Sequence, residues 1–143
     1  MNQGKACYRK LRKYEYQLMN DYVTKIGLKP VQDIEFAYLS LSSTGILKMK
    51  KTYAWDGPSG PTIDTKDFMR GSLVHDALYQ LMRLQSLDYK KYRKQADVIL
   101  REICIEDGMS KFRAWYVYQA VRIFAGGAAR PRKEPEVKII CVP

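Results

Sequence analysis

His75 is the only histidine in the chain; Asp76 follows it directly and Tyr79 comes one turn later. At about 3.6 residues per turn a helix here sets His75 and Tyr79 on one face with Asp76 beside them. An imidazole of ordinary pKa about 6.5 suits a general base at neutral pH, and a carboxylate on one ring nitrogen frees the other to take a proton. Asp97 is the candidate for that carboxylate. It falls at the margin of the apolar face of the next helical stretch, where a carboxylate is costly without a partner, and antiparallel packing sets His75 or Tyr79 opposite it. Asp76 points along the same face but not at the ring, which leaves it to hold a cation with backbone carbonyls of the loop at residues 55–60. Calcium accepts that mixture of oxygens, whereas zinc needs more nitrogen or sulfur than the chain offers. The chemistry expected is a His-Asp dyad that activates water, with calcium polarising the carbonyl under attack. A second reading makes the same side chains a buried hydrogen-bond network that fixes helix pairing.

Several elements must position these residues. In the loop at 55–65, Pro58, Gly60 and Pro61 preclude a regular element. Asp64, Thr65 or Asp67 caps a helix over about 66–84, with Val74, Ala77, Leu78, Leu81 and Met82 as its packed stripe and Ser72, His75, Asp76 and Tyr79 as its polar face. A link at 85–88 leads to a helix over 89–106, and the two form an antiparallel pair. Asp107-Gly108 ends the second helix. Ser110 caps a third, for which Phe112, Trp115, Tyr116, Gln119, Ala120 and Ile123 are the expected packed face and Gly126-Gly127 the stop.

The first half reads as strands. Residues 1–12 are a basic arm; strands occupy 13–54, beginning with Tyr14, Tyr16 and Leu18, then 22–26, where a helix is the alternative. Residues 35–41 and 46–53, joined by Ser-Ser-Thr-Gly, form a hairpin whose second strand delivers Trp55 to the loop. The tail at 128–143 is Pro-rich and charged until 137–142, which reads as an edge strand or a partner-contacting arm. The expected fold is α+β, one domain over 1–143, with a small antiparallel sheet packed on a three-helix half that carries the His/Asp site.

Composition narrows the function classes. With 143 residues the chain can bury a core without staples, and Cys7, Cys104 and Cys141 are too few and too scattered for a disulfide framework or a cysteine-based zinc site. No apolar run approaches the roughly 20 residues that span a bilayer, and the N-terminal residues lack a signal peptide's apolar core. A host cytoplasm or a virion is the expected location. The formal net charge of +10 favours an anionic partner: a phospholipid surface, an acidic protein or nucleic acid.

The run His75-Asp76-Ala-Leu-Tyr79, with Asp97 on a following helix and Trp-Asp-Gly-Pro-Ser-Gly before it, is similar to the secreted phospholipase A(2) arrangement. That resemblance implies His75 as general base, Asp76 as calcium carboxylate, Asp97 as the partner that orients His75, and Tyr79 as a donor to Asp97. It also implies a calcium loop with the carbonyls of Trp55, Gly57 and Ser59. The chain departs from it in having Leu78 where many such enzymes have a cysteine, and Asp56 and Pro58 where glycines are usual. Asp56 either joins the metal shell or pairs with Arg83 or Arg93. A further resemblance rests on Trp-Asp-Gly-Pro-Ser-Gly-Pro, Leu-Val-His-Asp-Ala-Leu-Tyr-Gln, Arg-Lys-Gln-Ala-Asp and Tyr-Gln-Ala-Val-Arg-Ile-Phe, in that order. These look like the phage and bacterial domain-of-unknown-function family number 1353, which implies a phage or prophage protein without a settled activity.

Two functions follow as expectations. One is a calcium-dependent lipid or ester hydrolase at an anionic membrane. The other is a non-enzymatic phage accessory or structural protein that binds a host protein, a virion subunit or nucleic acid.

Overall fold

The computed structural model describes residues 8–10, 16–55 and 65–130. They fall into two compact units, strands up to residue 55 in one and helices from residue 65 in the other. The chain is α+β in the order expected, with antiparallel strands followed by three main helices.

The first unit holds two small antiparallel sheets. In one, β1 (Tyr8–Lys10), β2 (Tyr16–Leu18) and β7 (Ala54–Trp55) lie in that order; in the other the order is β3 (Tyr22–Lys25), β6 (Ile46–Met49), β5 (Leu39–Leu41) and β4 (Ile34–Glu35). The expected strand at 22–26 is present and extended, not helical. The expected hairpin is β5–β6, with Leu39 opposite Met49 and Leu41 opposite Leu47. Period-two alternation puts all four of these side chains in the core.

Several boundaries differ from expectation: residues 8–10, expected within the basic arm, form β1 against β2, and the second hairpin strand ends at Met49, not at residue 53. Residues 35–41 are not one strand, because the Phe36 amide turns back onto the Leu39 carbonyl at 2.8 Å and splits the run into β4 and β5. Nor does β6 deliver Trp55. At Thr52 φ is +80°, the left-handed region, and the chain turns there. The Lys51 amide on Asp21 Oδ1 at 2.7 Å and the Thr52 amide on the Leu18 carbonyl at 2.9 Å hold the turn, and Trp55 pairs across to Tyr16 in the other sheet.

In the second unit α1 (Lys66–Arg83) and α2 (Tyr89–Glu106) match the two expected helices to within a residue. Asp88 caps α2, its side chain accepting from the Lys90 amide, and Ser110 caps α3 (Lys111–Phe124) through the Arg113 amide at 3.2 Å. Thr65 precedes α1 but makes no capping bond to it; its hydroxyl goes to Asp67 instead. The double glycine does not end the helical region, since a short α4 (Gly126–Ala129) follows the Ala125 break.

Three contacts fix α1 and α2 as an antiparallel pair. Arg70 near the start of α1 bonds Glu106 and Asp107 at the end of α2, at 2.7 and 2.9 Å; Gly71 lies against Leu100 and Cys104; and His75 meets Asp97 at mid-helix. α1 is buried nearly all round, Ser72, His75 and Tyr79 included, so its expected polar face is interior. α3 packs through Ala114, Val117, Ala120 and Val121. Of its expected packed face only Ala120 is buried. Phe112, Trp115, Tyr116 and Ile123 are exposed, because small residues let α3 approach α2 closely and turn the bulky stripe outward.

Candidate functional site

Asp97 is fully buried near the middle of α2, and donors from two other helices converge on it. His75 Nε2 lies 2.7 Å from Oδ1, and the Tyr79 hydroxyl donates to the same oxygen at 2.6 Å. Arg122 Nη1 donates to Oδ2 at 2.8 Å. An ionised carboxylate accepts only, so His75 Nε2 carries the proton and the neutral ring has its lone pair on Nδ1. That nitrogen is 3.9 Å from Asp76 Oδ1, too far for a hydrogen bond. The His75 and Tyr79 rings lie against each other, with centroids 4.1 Å apart.

Arg93 extends this centre one turn before Asp97. Its Nε donates to the Tyr79 hydroxyl at 3.1 Å and lies 3.9 Å from Asp97 Oδ2. Its Nη2 donates to the carbonyls of Val121 and Arg122 at 2.9 and 2.8 Å in the last turn of α3; the Val121 carbonyl also accepts the Ala125 amide at 3.0 Å. Gly126 leaves room for this guanidinium, since a Cβ there would stand 3.4 Å from it.

The electrostatics follow from this geometry. Burial alone would lower the His75 pKa, but Asp76 and Asp97 more than offset it and raise it above 6.5. Burial would raise the Asp97 carboxyl, yet His75, Tyr79 and Arg122 hold it below its ordinary value. Burial, with the Asp97 charge adding to it, pushes the Tyr79 phenol up, so it remains a donor.

The residues singled out from the sequence separate into three groups. His75, Tyr79 and Asp97 are in direct contact, with Asp76 next to the ring. Trp55 is buried in β7 of the first unit, paired with Tyr16 and with its ring tilted against that of Tyr16, centroids 5.5 Å apart. Asp56, Gly57 and Ser59 lie outside the described residues, as do residues 1–7 and 11–12 of the arm expected over 1–12 and residues 131–143 of the tail expected over 128–143. Among the described residues no group of three or more His, Cys, Asp or Glu is placed to hold a metal.

Arg93 and Arg122 were not expected at this centre. The first has a local signal, being four residues before Asp97 on the same helix. Arg122 has none, because its approach depends on how α3 crosses α2. A buried carboxylate does require a cation nearby, and that requirement is the only hint the sequence holds.

No curated protein and no solved structure matches the chain. A family profile described as "Protein of unknown function (DUF1353)" matches residues 35–121, more than half of the 143. That span reaches from β4 through most of α3, His75, Asp97 and Arg93 included, and the chain belongs to this family.

Proposed function

We propose that the protein is an ester hydrolase acting on anionic phospholipid, with His75 as general base. The observation that carries the reading is the 2.7 Å contact between His75 Nε2 and Asp97, which makes Nδ1 the basic nitrogen. A water at Nδ1 gives its proton to the ring as its oxygen attacks the ester carbonyl; the imidazolium then returns the proton to the departing alkoxide. Asp97 stabilises the imidazolium, while Tyr79 and Arg122 keep Asp97 in place. Calcium belongs to this proposal, with Asp76 as its carboxylate ligand, the carbonyls of Trp55, Gly57 and Ser59 beside it, and Asp56 as a further oxygen donor. When bound it would polarise the ester carbonyl. In a phage or prophage setting the membrane would be met at lysis or from a virion, where calcium is at hand.

The test is fatty-acid release from phosphatidylglycerol vesicles by wild type and by His75→Asn, with and without a calcium chelator. Release that disappears in the variant and on chelation supports the reading. No release by folded wild type with calcium present, or release that survives His75→Asn, overturns it.

A second reading has its own observation: Asp97 takes donors from both α1 and α3, so one buried carboxylate ties three helices together. On that reading the protein is a non-enzymatic accessory or structural protein of a virion or prophage that binds a host protein, a virion subunit or nucleic acid, and the charged centre only holds its helices. It predicts a loss of stability in His75→Asn with no hydrolysis by wild type and no calcium binding by calorimetry.

A further inference from the structure

We infer that the outward face of α3 is a docking surface for an anionic lipid bilayer. The face is apolar and exposed where a helix in a folded unit is normally polar: Phe112 is 76% exposed, Ile123 69%, Phe124 65%, Trp115 50% and Tyr116 43%. Phe112, Trp115, Tyr116 and Ile123 recur at helical spacing and make one stripe along the helix, with Phe124 at its end. Its opposite side is the buried Ala114, Val117, Ala120 and Val121, so the stripe is not left over from a loosely packed helix.

Charge selects the occupant. From residue 108 to residue 130 the sequence has no Asp or Glu; of its four basic residues Arg113 pairs with Asp67 and Arg122 with Asp97, which leaves Lys111 and Arg130 to meet an anionic surface. Arg101 of α2 sits over the Tyr118 ring of α3 at 4.8 Å and adds a cation beside the helix. An aromatic and aliphatic face rimmed by Lys and Arg is the pattern of a helix lying in a membrane interface, where rings enter the acyl boundary and cations meet lipid phosphates. A second copy is a poor occupant, since each chain carries +10 and would bring the same basic rim. The surface supplies a substrate class to the hydrolase reading but stands on α3 alone.

The probe is vesicles of ether-linked phosphatidylglycerol, which an ester hydrolase cannot cleave, so docking and catalysis succeed or fail independently. Trp115 reports insertion through a blue shift of its emission; Trp55, only 3% exposed, contributes a constant background. The expected result is a blue shift with phosphatidylglycerol, little with phosphatidylcholine, and binding weakened roughly ten-fold by Phe112→Ser or Ile123→Ser. Val31→Ser, at an exposed apolar residue of the first unit, serves as the control and should bind like wild type. The substituted residues are exposed, and unchanged circular dichroism verifies that the variants fold. Absence of a shift in wild type, or binding that ignores both α3 substitutions, overturns the inference. So does sedimentation showing a dimer that Ile123→Ser dissociates, which would assign the face to a second copy.

Discussion

Arg122 meets Asp97 at 2.8 Å on Oδ2, the carboxylate oxygen that His75 and Tyr79 do not use. The two oxygens thus face different helices, Oδ1 toward α1 and Oδ2 toward α3. One side chain of α2 is the polar junction of all three, and the position of α3 bears on the group that orients His75.

Removing the charge at that junction should be costly. Asp97→Asn leaves the Arg122 guanidinium without its anion and presents an amide N–H to donors on at least one side. Breaking a buried pair in this way costs about 3–5 kcal/mol. Urea denaturation should show a correspondingly lower midpoint with an unchanged slope. A midpoint within experimental error of wild type would mean that the carboxylate is dispensable to the helix pair.

Arg122 is partly exposed, so its removal should cost less. Arg122→Ala leaves Asp97 with His75 and Tyr79, and a loss of about 1–3 kcal/mol is expected for the unmade charged bond. In the double variant with Asp97→Asn the two losses should fall short of adding, because each removes the other's partner. Strict additivity by denaturation would show that the two groups do not interact.

The pH dependence of stability follows from two opposite shifts. His75 has a folded pKa raised above 6.5, so its contribution is complete below the unfolded value and is lost as pH rises through the folded one. Asp97 has a folded pKa lowered from 3.8, so its contribution is present above that value and is lost as pH falls through the folded one. Melting temperature should therefore be greatest in mildly acidic solution, between these limits, and fall on both sides. His75→Gln should abolish the alkaline loss and also shrink the acid one, since His75 is among the groups that hold Asp97 low; a profile unchanged by that substitution would remove His75 as its source.

How much of this could be read from the sequence depended on how local each cause was. Both long helices were legible from apolar spacing and the second also from its Asp107-Gly108 stop, while Ser110 marked the start of α3, since caps and stops act within a turn. The meeting of His75 with Asp97 was legible because a short link forces an antiparallel pair and a buried carboxylate needs a partner. The outer face of α3 was not. Its stripe of Phe112, Trp115, Tyr116 and Ile123 has the periodicity of a core face, and only the neighbouring Ala114, Val117, Ala120 and Val121 show that small residues form the close contact. The division of 35–41 into two strands was hidden for a similar reason: alternation continues across Phe36 to Tyr38, while the turn rests on a backbone bond that side-chain patterns do not report.

Gly45 offers a test of the hairpin. Its φ is +90°, and a Cβ there would run into the backbone carbonyl oxygen of Ile26, whose own amide donates to the Gly45 carbonyl at 2.8 Å. The obstacle is backbone held in a ladder, so no side-chain rotation can relieve it. Left-handed conformation alone costs a residue with a Cβ about 1–2 kcal/mol, and the clash adds to that. Gly108, with φ +105° and nothing within 4 Å of its would-be Cβ, provides the comparison. Gly45→Ala should thus destabilise its unit by more than Gly108→Ala destabilises the helical one, the excess measuring the clash. Hydrogen exchange at the Ile26 amide is the direct readout, because that bond must lengthen if the alanine is to fit. Faster exchange there in Gly45→Ala alone is the expected outcome, and protection equal to wild type would mean that the turn has another way to accommodate a side chain.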